Sequence, residues 1–437
     1  MIDLSDLRTR PDAYKKAAKN KNIPVDIDAF LKLDDKRKTL LPDVEAMRKQ
    51  QNDASKKIPS LKGAEKDKVL ADMKKISDKL KKEETELKEV EEQWKTMQYM
   101  LPAIPLDTVP VGKDDKENVE VRTWGDTKVM LGGKPPKKVK DHVTLGEALD
   151  MIDLERGAKV SGARSYFLKG NGARLHQAVL RFTMDHLMAK GWTLFCPPLM
   201  ATYDCFMGTG FFPGVDQGNI YAVGGQENEG GPIEGDNLHL IGTSEVTVCS
   251  YHKDEILKEA ELPKRYAGYS ACFRREAGTY GKDTKGLYRV HQFEKVEQVV
   301  LCKADQKEAL KIFEEIRTNA EEVLQAMKLP YRIIDVCTGD MGKGKVFMQD
   351  IETWMPSRSA YGETHSCSYL GDFQARRLNI RYDADGKKQF VHTLNNTCIA
   401  SPRILIPIIE MYQNEDGTIT VPEVLRPYMG GEATIGA

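Results

Sequence analysis

The residues best equipped for chemistry lie between positions 273 and 297, FRREAGTYGKDTKGLYRVHQFEKVE. YSACFRRE and GLYRVHQFEKVEQVV have the make-up of strands, and AGTYGKDTK between them is rich in turn formers, so the segment predicts a β-hairpin with a long loop. Alternate side chains of a strand share a face. Arg274 therefore goes with Glu276, and Arg289, His291, Phe293, Lys295 and Glu297 go together on the return strand. If the two faces coincide, one surface offers arginines, an aromatic ring and carboxylates. Arginine forks bind phosphate oxygens in pairs. A phenylalanine ring stacks on a base for about 1–3 kcal/mol, and carboxylates suit an exocyclic amine or an ammonium group. Such a set fits a nucleotide better than a solvated turn. The chain has no GxxxxGK[ST] loop and no convincing GxGxxG after a strand, which leaves nucleotide binding on an antiparallel sheet.

The elements that must position these groups fall into two regions. In the first, Val69, Met73, Ile76, Leu80, Leu87, Val90, Trp94, Met97 and Leu101 step by four and three, with Glu83 at the one polar place. An earlier run, Phe30, Leu33, Leu40, Val44, Met47, Ala54 and Ile58, follows the same rule with Arg37 and Gln51 as polar members. Pro59 and Gly63 in IPSLKGAEK let the chain reverse between them. Two seams joined by a short turn predict an antiparallel helical hairpin, about 50 Å long at ~1.5 Å per residue. Pro42 inside the first helix is expected to kink it near Leu41. Pro102, Pro105 and Pro110 then forbid helix. The expected domains are 1–101, a linker at 102–120, and 121–437.

Beyond the linker, Arg174 to Lys190 reads as an amphipathic helix followed by the strand-like WTLFCPP. YAGYSACF, LYRVHQFEKVEQVVL and FQARRLNIRY read as strands, with helices at about 306–327 and 403–412. The fold class is α+β, an antiparallel sheet with helices carrying an N-terminal helical arm. A formal charge of -1 over 437 residues leaves no global basic bias, so any nucleic-acid surface is local. No stretch approaches a membrane span, and MIDLSDLRTRP has the pattern of neither a signal nor a transit peptide, so a cytoplasmic setting is expected. The 8 cysteines form no CxxC pair and no zinc spacing, which predicts reduced, mostly buried thiols.

FRRE, its glycine-bearing loop and RVHQFEKVE resemble motif 2 of the class II aminoacyl-tRNA synthetases, and more narrowly the seryl-tRNA synthetases of bacterial type. The resemblance runs along essentially the whole chain. It is carried also by the arm, IPLDTVPVG, SGARSYFLKGNGARL, the motif 1-like helix with WTLFCPP, GTSE at 242–245, ETHSCS at 363–368, GDFQARRLNIRY, HTLNN, SPR at 401–403 and DGTITVPEVLRPYM. It implies activation of L-serine by ATP with Mg2+ and transfer to tRNA(Ser), use of tRNA(Sec) staying open. The arm would hold the tRNA, and the motif 1 likeness implies a homodimer. Arg274 would grip the α-phosphate and Arg403 would stack on adenine or hold the γ-phosphate, both counting as catalytic. The ATP site would include Arg275, Glu276, Arg289, Val290, His291, Gln292 and Phe293, then Glu363, Thr364, His365 and Ser366, with Glu363 and Ser366 at the metal. Thr243, Ser244, Glu245, Arg274, Glu297, Asn395 and Thr397 would form the serine pocket.

Four places depart from the family pattern. The loop 222–238, AVGGQENEGGPIEGDNL, is enlarged, glycine-rich and acidic; a surface insertion is favoured over a lid. GTGFFPG replaces a more polar, lysine-bearing stretch. His365 stands where a serine is usual, with an expected neutral effect, and Pro402 replaces a glycine, a change tolerable at the first turn of a helix. Two other readings are a catalytically silent tRNA-binding paralogue and a carrier-protein aminoacylase. Retention of Arg274, Glu276, Glu363 and Arg403 argues against the first, and the full-length arm against the second.

Overall fold

The computed structural model describes residues 1–213, 215–224, 227–228, 231–232, 237–277 and 285–436. Residues 225–226, 229–230 and 233–236 of the loop 222–238, the tip of the 273–297 hairpin and Gly214 of GTGFFPG therefore lie outside the described residues. The chain separates into two compact units, Met1–Pro102 and Ala103–Ala437.

In the first unit, two short helices (Leu4–Thr9 and Pro11–Asn20) precede α1 (Ile27–Lys57) and α2 (Gly63–Met100). Asp26 caps α1 through the Ala29 amide. The helix runs through Pro42 without interruption. Gly63, at φ +60°, opens α2 in a backbone region that other residues enter at a cost. The two seams meet as their spacing requires: Val44, Met47, Leu80 and Leu87 are buried against Leu40, Leu41 and Ile76. A polar knot sits at the base of the pair. Asp34 is 1% exposed and accepts from Trp94 Nε1 at 2.9 Å, from Lys38 Nζ at 2.9 Å and from Arg8. Arg37 covers the Trp94 ring at 4.4 Å. The two short helices were not foreseen, although Asp3 as cap and Pro11 at a first helical position are recognisable start signals.

The second unit is built on an eight-stranded sheet. Its strands in chain order are β1 (Val119–Trp124), β2 (Thr193–Phe195), β3 (Lys264–Phe273), β4 (Gln292–Cys302), β5 (Tyr331–Asp335), β6 (Phe347–Met355), β7 (Ala360–Gly371) and β8 (His392–Ser401). Across the sheet they run β1-β5-β6-β7-β8-β4-β3-β2, antiparallel except for β2 on β3. The helices α3 (Gly170–Ala189) and α4 (Gln306–Ala326) cover one face, burying Leu175, Val179, Phe313 and Ile316 against Val296, Val300, Leu394 and Ile399. Polar side chains of that face are tied to α4: Gln298 Nε2 and Asn396 Nδ2 both donate to the Ile316 carbonyl, at 2.8 and 2.6 Å. The strand neighbours Glu297, Asn395 and Thr397 thus belong to the other face. The proline-bearing stretch after residue 102 is seated on this unit, with Ala103 and Leu106 amides donating to the Lys343 and Val346 carbonyls.

Three expectations are corrected. FQARRLNIRY is not a strand. Phe373–Leu378 is the helix α5, and Asn379 at φ +56° turns the chain into the strand Arg381–Ala384. Phe373, Ala375 and Leu378 are buried, the last two three apart on one side of the helix, and Arg376 pairs with Asp372 one turn back. The return strand of the hairpin begins at Gln292 and not at Leu287, so Arg289 and His291 precede it. Pro402 lies in the turn after β8, ahead of the helix α6 (Leu405–Met411), and not at the first turn of a helix.

Candidate active site

The open face of β3, β4, β6, β7 and β8 collects the predicted groups into three clusters. In the first, β3 and β4 pair with Cys272 opposite Phe293, and Arg274 leaves the strand end just beyond. Its guanidinium lies 5.2 Å from the centre of the Phe293 ring, and its Nε donates to the Gly242 carbonyl at 3.3 Å. Its two terminal nitrogens have no partner among the described residues. Glu276 takes a left-handed backbone, φ +51°, and reaches Arg289 Nη1 at 3.4 Å. The two residues meet through this bend and not through strand alternation. His291 is occupied structurally: its Nδ1 donates to the Arg274 carbonyl at 3.0 Å while its own carbonyl accepts from the Arg274 amide at 3.0 Å.

The second cluster surrounds Arg403, held by Nε on the Tyr288 carbonyl (3.0 Å) and Nη1 on the Glu363 carbonyl (2.9 Å), with the Glu363 carboxylate at 3.7 Å. Tyr288 lies between Arg403 and Arg358, whose guanidinium carbons are 4.5 and 4.2 Å from its ring centre. On β7 the pairing with β6 slips between Ile351 and Glu352, so Thr364 is an extra residue. The bulge brings Glu363 and Ser366, three apart, to one face. Asp350 stands opposite Ser366 in register and is 7% exposed, its Oδ1 buried without a hydrogen-bond partner among the described residues. Burial, then the charge of Glu363, pushes its carboxyl well above the ordinary range.

The third cluster is a buried polar pocket between β4, β8 and the segment GTSE. Lys295 Nζ donates to Thr243 Oγ1 at 2.8 Å and Thr397 Oγ1 at 3.3 Å, and forms an ion pair with Glu297. Thr397 in turn donates to Glu297 Oε2 at 3.2 Å. Gln374 of α5 donates to Glu245 Oε1 at 2.7 Å and accepts from Thr393 at 2.7 Å. Burial, and after it the neighbouring Glu297, raises the Glu245 carboxyl. Asn395 is buried between Thr393 and Thr397 on the same side of β8.

Several expected residues are not brought into these clusters. Ser244 is fully buried and donates to the Gly268 carbonyl at 3.1 Å, so it joins GTSE to β3 and does not face the pocket. A Cβ at Gly268 would stand 2.5 Å from its hydroxyl. Val290 is buried, Gln292 has the opposite strand parity to Phe293, and Arg275 lies over Tyr221 at 6.0 Å. Thr364 bonds Thr353 at 2.6 Å, and His365 is 1% exposed with Nδ1 on Thr364 Oγ1 at 2.8 Å. Burial pushes the His365 imidazole down to about 3, which keeps it a neutral group of the core. Lys295, Gln374, Asp350 and Tyr288 were given no role from sequence. Strand parity placed Lys295 on the right face, while Gln374 was hidden in the stretch misread as a strand.

Comparison with known proteins agrees along the whole chain. The model of the seryl-tRNA synthetase N-terminal domain matches residues 1–105, and that of the class II tRNA synthetase core domain (G, H, P, S and T) matches residues 230–412. The serine–tRNA ligase of Deinococcus radiodurans is 47% identical over 437 residues, covering 100% of this chain and 99% of the relative. That of Symbiobacterium thermophilum is 44% identical over 431 residues, 98% of each chain. Among solved structures, the seryl-tRNA synthetase from Pyrococcus horikoshii complexed with ATP superposes with a TM-score of 0.84 at 36% identity, covering 100% of this chain and 99% of the other. The cytoplasmic serine–tRNA ligase from Naegleria fowleri in complex with AMP gives 0.79 at 29% identity, covering 97% and 95%. Matched from end to end in this way, in its arm and its sheet alike, the chain belongs to the seryl-tRNA synthetases.

Proposed function

We propose that this chain activates L-serine with ATP and transfers it to the 3′ end of tRNA(Ser). The observation that carries this reading is the juxtaposition, on one sheet face, of the buried pocket of Thr243, Glu245, Glu297 and Thr397 with the Arg274–Phe293 pair at the adjoining end of β3 and β4. The pocket is small, polar and acidic. It suits an ammonium group and a short hydroxyl side chain, and an analogue without the hydroxyl leaves buried groups unpaired.

In this reading Phe293 stacks on the adenine, and the terminal nitrogens of Arg274 take the α-phosphate and the serine carboxylate. Arg403, with Arg289, holds the far phosphates. A serine carboxylate oxygen attacks the α-phosphorus in line; the P–O bond to pyrophosphate breaks, and its electron pair leaves with the pyrophosphate. A terminal ribose hydroxyl of the tRNA then attacks the carbonyl of the mixed anhydride, and AMP departs. Positioning and charge neutralisation do most of the work, and no side chain is required as a general base.

The residues present fit a magnesium ion. Glu363 and Ser366 share a face with Asp350, whose buried Oδ1 lacks a partner among the described residues and whose carboxyl is raised by burial first and by the charge of Glu363 after it. Glu363 and Ser366 would hold the ion, a hard cation among oxygen donors. When bound, it neutralises charge on the phosphates.

The helical hairpin of the first unit is read as the tRNA-binding element, recognising shape and backbone more than bases. A homodimer follows from the motif 1 likeness. Among the described residues no helix is long and apolar enough to cross a membrane. The test is serine-dependent exchange of pyrophosphate into ATP, assayed across the twenty amino acids. Exchange with serine is expected; its absence at saturating serine rejects the assignment.

A further inference from the structure

Lys295 is 4% exposed, and a tetrahedral ammonium has three protons to give. All three acceptors it meets, Thr243 Oγ1, Thr397 Oγ1 and the Glu297 carboxylate, belong to the pocket read above as the serine site. We propose that Lys295 is the positioning residue of that pocket, fixing the direction of its hydroxyl protons and the place of its carboxylate so that it selects an amino acid bearing both an ammonium and a hydroxyl group. The inference rests on the proposed serine-activating function.

The proton inventory supports it. Thr243 Oγ1 accepts from Lys295 at 2.8 Å and from the Glu245 amide at 3.3 Å. Both lone pairs are thereby used, and its one proton is left to donate toward a ligand. Thr397 Oγ1 accepts from Lys295 and gives its proton to Glu297, so it offers no donor of its own. Glu297, paired with Lys295 and Thr397, is held at one position instead of swinging toward Glu245. A buried carboxylate with its cationic partner removed is left uncompensated and neutralises by taking up a proton, which would turn an acceptor for the ammonium into a donor. Gly268 lies across from Glu297 in register, and the absent side chain there leaves room for Ser244 to lock the GTSE segment against β3. Thr243 is therefore presented to Lys295 by a rigid support.

The test is steady-state pyrophosphate exchange with Lys295→Met and Lys295→Gln, with KM measured separately for serine and ATP. Charged hydrogen bonds of this kind are worth about 1.5–3 kcal/mol, so the KM for serine should rise about 10- to 100-fold while that for ATP changes less than about threefold. The glutamine keeps a donor toward the threonine oxygens and should lie between wild type and methionine. Discrimination of serine from alanine should fall in the same order. Serine and ATP constants moving together, or neither moving, would overturn the role. So would failure of both variants to fold, which would assign Lys295 to the core alone. A wild-type protein without serine-dependent exchange would instead reject the proposed function, so the two failures are distinguishable.

Discussion

Replacing Arg274 by alanine separates the chemistry of this chain from its folding and from its tRNA binding. The structure sets the folding cost. The guanidinium makes one long hydrogen bond, 3.3 Å to the Gly242 carbonyl, and one ring contact at 5.2 Å. A part-exposed cation–π contact is worth about 0.5–1 kcal/mol and such a bond about 1 kcal/mol, so the variant should lose roughly 1.5–2 kcal/mol. That is small beside a typical domain stability of about 5–15 kcal/mol, and the protein should stay folded. The catalytic cost is larger. Removing one preorganised donor from the charge that develops in a transition state costs about 10²- to 10³-fold in kcat, near 3–4 kcal/mol. Exchange should fall by that factor, and Arg274→Lys should recover only part, since a point charge does not reproduce the planar fork. Thermal denaturation, pyrophosphate exchange and filter binding of tRNA measure the three quantities separately. Exchange reduced less than about tenfold would refute the placement of the α-phosphate, and tRNA binding weakened as much as exchange would refute the division of labour.

Deleting residues 27–100 should do the converse, leaving serine-dependent exchange within about threefold and reducing tRNA charging at least 10²-fold, as expected when most of the phosphate and shape contacts are lost; charging unaffected by the deletion would sink the role given to the arm. Asp34 predicts an acid step in the stability of the first unit. Burial by itself would raise this carboxyl, but the bonds from Arg8, Lys38 and Trp94 outweigh it and hold the group below 3.8. A carboxyl depressed in the folded state stabilises fully above its unfolded value, and the contribution fades as pH falls through about 4 toward the folded value. Asp34→Asn should therefore lose about 1.5–3 kcal/mol at pH 7 and lack the acid step, as read by urea denaturation followed through tryptophan fluorescence; parallel pH profiles for the two proteins would contradict the account.

The helical hairpin was legible because its signal is local. A four-three step of apolar residues places Val44, Met47, Leu80 and Leu87 on facing seams wherever the rest of the chain goes, and all four are buried. The β3–β4 hairpin was legible for the same reason, since Phe273 and Gln292 pair across a loop whose composition announces a turn. FQARRLNIRY failed because a six-residue helix is too short to establish a period against the alternation of its flanks. Tertiary burial of Phe373, Ala375 and Leu378 decided it.

The site was harder, and the obstacle was parity. Strict alternation puts Glu363 with His365 and leaves Ser366 on the opposite face with Thr364. The single bulged residue reverses that order, sends His365 into the core and unites Glu363 with Ser366. A second slip, where Val296 pairs with Ile399 and the next residue, Glu297, with Thr397, skips Cys398 and sets Thr397 beside Glu297. Neither bulge has a composition of its own, because the extra residue is an ordinary threonine or cysteine and the irregularity lives in the pairing of two distant strands. Lys295 shows the remaining limit. Its position in the alternation put it on the open face, where a lysine reads as a solvated charge. Its burial follows only from the arrival of Thr243, 52 residues earlier, and Thr397, 102 residues later, and no local pattern encodes that meeting. The groups proposed to select the substrate are thus the ones set by long-range register, whereas those proposed to hold the nucleotide, Arg274 and Phe293, stand on a hairpin and could be read nearly in place.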